Sequence, residues 1–172
     1  MLLLLLLAWD RDESIIEQMR ELVNGALERA YLSELEAAGV GPNELTAEDA
    51  ANIAELQKRQ ADFIANFARD VRAARDDPAA QDQIRNQRLA LWESTIEAAR
   101  QVALARVRAE ELVVFGGHDG NESCTDCQKF KDEPHPRQWF VERNLLPGVP
   151  GSGLECGGWN CEHELVAYEG AR

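Results

Sequence analysis

The sequence is short of cations, and it holds no hydrophobic run long enough to cross a bilayer. Lys and Arg number 18 against 31 Asp and Glu, a net charge of −13 over 172 residues. Nucleic-acid binding draws on clustered cations, so direct contact with nucleic acid or with an anionic membrane surface is not expected. The longest apolar run, Leu2 to Leu7 with Ala8 and Trp9, falls far short of the ~20 residues that span a membrane. As a signal peptide it lacks a preceding Lys or Arg, and Asp10, Arg11, Asp12 and Glu13 follow it directly. We read it as the first turns of a helix that packs on this chain's own helices or on a partner subunit. The sequence also lacks an HExxH zinc-protease motif, a glycine-rich phosphate loop and a Ser-His-Asp set. With no βαβ pattern either, it offers no recognisable catalytic framework.

What is present divides the chain. Residues 1–110 hold only three of the 12 glycines, and their apolar positions recur at three and four. One stripe runs Ile15, Met19, Leu22, Val23, Ala26, Leu27, Ala30 and Tyr31, and the breaker Gly39–Asn43 closes it. Thr46 with Asp49 reads as an N-cap opening a second helix, whose stripe is Ile53, Leu56, Gln60, Phe63, Phe67 and Val71. Asp77 followed by Pro78 opens a third helix to about Arg108, with Leu89, Trp92, Ile96, Ala99 and Ala103 on one side. The acidic residues are expected on solvated helical faces.

After residue 110 the composition changes. Leu112–Phe115 reads as a strand, Gln138–Arg143 as a short helical turn and Glu164–Tyr168 as a final strand, with glycine and proline between them. The fold class expected is mainly α: a long helical hairpin or three-helix bundle, followed by a small, irregular, β-containing, Cys-rich module. The segments are an N-terminal helix with a leucine-rich start (1–43), a helical hairpin (44–110) and a Cys/His-rich module (111–172).

All four cysteines and all three histidines lie in that last segment. Cys124 and Cys127 form a C-x2-C pair, and Cys156 and Cys161 a C-x4-C pair 28 residues on. Two thiolate pairs suit a tetrahedral Zn²⁺, and a closed four-ligand site is structural rather than catalytic. A segment this poor in large apolar residues gains much from such a crosslink. His163 can replace one sulfur. His118 and His135 are less well placed, and His135, between two prolines, reads as a surface turn. Disulfides and free buried thiols are the alternatives, the former requiring an oxidising compartment. A dithiol redox reading of Cys124-Thr125-Asp126-Cys127 also stands, as does a zinc-dependent enzyme.

These residues also resemble a family. Leu91-Trp92-Glu93-Ser94-Thr95-Ile96-Glu97 ends a helix and leads into the strand Leu112–Phe115. Asp119, Cys124-x-x-Cys127, Trp139 and Gly157-Gly158-Trp159-Asn160-Cys161-Glu162-His163 follow in that order. The order is similar to the C-terminal region of phage Mu F-like minor head proteins, with Leu56, Gln60, Phe63, Ile64 and Phe67 resembling the helix upstream. The resemblance implies a virion component for capsid assembly, not an enzyme, partnered by portal or capsid proteins; self-association is a further expectation, from the leucine run Leu2 to Leu7. A cellular zinc-stabilised adaptor is the rival outside phage. In the phage reading Trp139 and Trp159 are expected to pack around the metal site.

Overall fold

The computed structural model describes residues 12–117, 124–149, 151–158, 161 and 163–170. The leucine run, His118, Asp119, Trp159, Asn160 and Glu162 lie outside them. Among the described residues the chain is mainly helical. Helices α1 (Asp12–Ala37), α2 (Ala47–Ala73) and α3 (Pro78–Val107) precede strand β1 (Leu112–Gly116). Then come α4 (Thr125–Asp132), β2 (His135–Pro136), α5 (Arg137–Glu142) and β3 (Glu164–Ala167). None of these helices is long and apolar enough to cross a membrane.

The helix boundaries follow from local chemistry. The Thr46 hydroxyl accepts from the Asp49 backbone N–H, and the Asp49 carboxylate accepts from the Thr46 N–H at 2.8 Å, a reciprocal cap opening α2. The Asp77 carboxylate accepts from the N–H groups of Ala79 and Ala80, and Pro78 takes the first position of α3, where no donor is needed. The stripes of α1, α2 and α3 share one core of Met19, Leu27, Tyr31, Leu35, Ile64 and Phe67, with Ala99 and Ala103 supplying a small-residue face. The side chain at the centre of the second stripe is Ile64 rather than Phe63, which is only partly buried. Asp49 departs from the expectation of solvated acids. It is 1% exposed, accepting from the Tyr31 hydroxyl at 2.9 Å and lying 3.4 Å from the Arg106 guanidinium.

The second half builds a three-stranded antiparallel sheet in the order β2-β1-β3. Phe115 sits opposite Leu165 and Val113 opposite Ala167 on one side of β1, and Val113 opposite His135 on the other. Val113, Phe115 and Leu165 turn one face onto Phe130, Phe140, Leu146 and Ala98 of α3. Helix α4 and strand β2 were not expected. Residues 125–132 are strongly polar, with only Cys127 and Phe130 buried, so no helical stripe stands out in the sequence. His135 is not a surface turn. It pairs in β2 and its ring stacks on Trp139 at 3.9 Å with the planes 7° apart.

A polar chain ties the two halves. Gln101 donates to Glu97 at 2.8 Å and accepts from Arg137, which is 4% exposed. Arg137 also donates through Nε and Nη2 to Glu111, at 3.0 and 2.6 Å. The Arg137 and Gln138 backbone N–H groups donate to the Glu111 and Ala109 carbonyls, seating α5 against the end of α3.

Candidate metal centre

Three separate pieces of backbone bring the cysteines together. Cys124 is the N-cap of α4 and Cys127 lies in its first turn, so one helical turn turns both sulfurs to one side. Cys156 sits in the glycine turn at 155–158, and Cys161 and His163 lead into β3. The first pair and the glycine turn are clasped by two carboxylates. Thr125 N–H donates to Glu155 at 3.1 Å, and Glu155 N–H donates to Asp126 at 2.7 Å. Asp126 and Glu155 went unnoticed in the sequence, because a clasp across 29 residues has no periodic signature.

The five groups form two overlapping trios. Cys124, Cys127 and Cys156 offer ligand atoms within 4.8 Å of one another, and so do Cys127, Cys161 and His163. Cys127 belongs to both and is 2% exposed. All four cysteines are unbridged thiols. Cys127 and Cys161 sulfurs are 3.5 Å apart, and Cys161 Sγ lies 3.6 Å from His163 Nδ1. A tetrahedral zinc with sulfur at about 2.3 Å and nitrogen at about 2.0–2.1 Å has S···S edges of about 3.8 Å and S···N edges of about 3.6 Å. The spacing therefore fits such an ion, and the cluster is compatible with a metal site.

Backbone N–H groups aimed at Cys124 and Cys156 oppose the burial that disfavours the ligating form. Burial pushes the Cys124 thiol up, but N–H donors from Cys127 and Cys156, with the neighbouring thiols, more than offset it and hold Cys124 below the usual thiol range. Burial dominates at Cys127 and Cys156 and raises both, although the Gly158 N–H donates to Cys156. Donors aimed at a sulfur stabilise the thiolate, which is the form that binds metal. Gly158 can take part only as glycine. Its φ is +75°, and a Cβ there would lie 1.9 Å from the Val149 carbonyl oxygen.

The cluster sits against the aromatic core of the sheet. His163, 6% exposed, has its ring 6.3 Å from that of Phe115. Phe130 packs edge-on to Trp139 and Phe140. Trp139 is sandwiched between His135 and the Arg143 guanidinium, which lies 4.5 Å from its ring. Of the two tryptophans expected around the cysteines, Trp139 thus joins the module's core.

No known family model, curated protein or solved structure matches the chain.

Proposed function

We propose that the chain is a structural protein of a phage virion, a minor head or head-morphogenesis component. Its helices form the scaffold, and a metal bound by Cys124, Cys127, Cys156 and Cys161 staples the C-terminal module. Zn²⁺ is the ion we assign, because thiolate ligands and tetrahedral spacing select it. His163 lies against Cys161, either as a substitute ligand or as the group that orients it. The observation that carries the metal role is the pair of trios meeting at buried Cys127. A four-thiolate site leaves no open position for substrate, which supports assembly rather than catalysis.

The assignment to phage heads rests on the order of motifs: a helix with Thr95-Ile96-Glu97, a strand, C-x2-C and the late Gly-Gly-x-x-Cys-x-His. In the fold, Glu97 begins the polar chain through Gln101 to Arg137, so this motif helps seat the module on the helices. Partners would be portal or capsid proteins, with no direct role for nucleic acid or membrane. Mass spectrometry of particles made by the genome that encodes the chain should find it as a minor virion component. Its absence from both virions and procapsids would overturn the reading.

A dithiol redox enzyme is the second reading, favoured by one observation. Cys124 caps a helix N-terminus and its thiol is held below the usual range, as in reactive cysteines. Insulin reduction that depends on Cys124 and Cys127 would establish it. We expect none.

A further inference from the structure

The clustered thiols are placed to react with one another as well as to hold a metal. The sulfurs of Cys127 and Cys161 are 3.5 Å apart. A disulfide bond holds its sulfurs at about 2.05 Å, so closing this pair takes about 1.5 Å of approach. In the other trio the sulfurs of Cys124 and Cys156 lie within 4.8 Å of each other. Both pairs run between segments: Cys127 of α4 meets the residues entering β3, and Cys124 meets the glycine turn.

Access differs within the closest pair. Cys127 is buried, whereas Cys161 is partly exposed. A hydroperoxide from solvent therefore reaches Cys161 first. The Cys161 sulfur attacks the peroxide and becomes a sulfenic acid, with release of one water. The Cys127 sulfur then displaces the hydroxyl as a second water, and the S–S bond forms. Each sulfur gives up one electron, and the peroxide takes both. The two protons that complete the waters come from the thiols, or from solvent where the thiolates hold a metal.

We propose that the module carries a redox-exchangeable staple: hydroperoxide joins Cys127 to Cys161, the metal leaves, and the new bond ties α4 to the segment entering β3 in its place. Cys127 is common to both trios, so its oxidation withdraws a donor from each, and only thiolates ligate. The bond links positions 34 residues apart, so it supplies the crosslink that a small core needs. A bond between Cys124 and Cys127 would also release metal but would leave the segments untied. A dithiol reductant reverses the change by exchange and returns both thiols. Metal release rests on the metal reading above; formation of the bond does not.

The test takes the full chain, reduced and with its zinc content measured, and adds an equimolar amount of hydrogen peroxide. A chromogenic chelator reads zinc release, and mass spectrometry of non-reduced peptides reads the linkage. Cleavage before Asp126 and Asp132 and after Trp159 puts the four cysteines on separate peptides. The main product should be the Cys127–Cys161 bond, with zinc released in step with it and recovered on adding dithiothreitol and zinc. Hydrogen exchange in β1, β3 and α4 should stay slow in the oxidised chain. Cys124→Ser, which leaves the reacting pair in place, should form the same bond. Any other main linkage, oxidised thiols without a bond, zinc retained beside the bond, or lost protection in those elements would each overturn the proposal. A chain that carries no zinc at the outset defeats the metal reading instead, and the linkage map still decides for or against the bond.

Discussion

Cys127 and Cys161 hold their sulfurs 3.5 Å apart although 34 residues separate them, and Cys127 is the thiol common to both trios. The protein purified under reducing conditions without chelator should carry about one zinc per chain. Cys127→Ser should abolish loading, whereas His163→Ala should reduce metal affinity roughly 10–100-fold, the usual cost of losing an orienting partner. Elemental analysis together with thiol titration checks both. A metal-free protein with four freely titrating thiols would remove the site.

Chelation should loosen one half of the molecule. The helices share a core independent of the sulfurs, while the sheet module packs its small core against Cys124, Cys127, Cys156 and Cys161. Removing the metal with a strong chelator should abolish hydrogen-exchange protection in β1, β3 and α4 and leave α1 to α3 protected. Uniform loss along the chain would contradict this division.

Gly158→Ala should behave like a ligand substitution although it removes no ligand. The new Cβ meets the Val149 carbonyl and the backbone is in the left-handed region, a strain of about 1–3 kcal/mol before the clash is counted. The Gly158 N–H would then swing away from Cys156. Weakened zinc retention, measured by competition with a chromogenic chelator, is the expected outcome.

The Arg137–Glu111 pair joins the module to the end of α3. Arg137→Ala would leave a partly buried carboxylate without its partner and should destabilise the fold by about 2–4 kcal/mol, discounted because Glu111 keeps some solvent contact. Arg137→Lys should not rescue it, since an ammonium cannot present two parallel donors to one carboxylate. Denaturant midpoints of the three proteins give the comparison.

The buried Tyr31–Asp49 pair predicts a stability that falls at both ends of the pH scale. Burial would raise Asp49, but hydrogen bonds from Thr46 and Tyr31 and the Arg106 charge hold it below its ordinary value. Its contribution is therefore present above the unfolded value, about 3.9, and is lost as pH falls through the folded one. Burial drives Tyr31 up to about 12. Its neutral form is the one the fold favours, so that contribution is complete below about pH 10 and is lost as pH rises towards the folded value, on the order of 2 kcal/mol. Thermal melts against pH should show a shallower acid limb in Asp49→Asn and a shallower alkaline limb in Tyr31→Phe.

The three long helices, the caps of α2 and α3 and the strand Leu112–Phe115 were legible in the sequence. Each depends on contacts within four residues or on a local apolar period. The cysteine spacing likewise singled out four candidate ligands, with His163 beside Cys161 as the fifth, because thiol pairs with two and four residues between them constrain geometry wherever the chain goes. Nothing local could show that Cys127 would be the thiol common to both trios, or that Asp126 and Glu155 would clasp the two cysteine segments. Helix α4 escaped notice because its polar sequence has only two buried positions, held by the sheet core and the sulfurs. Asp49 was legible as the capping partner of Thr46, but its burial came only with the packing of α1, α2 and α3, which set Tyr31 and Arg106 beside it. Local periodicity and spacing fix which elements form. Which side chains meet is decided by the docking of the sheet module onto α3, where the contacts span tens of residues and leave no pattern along the chain.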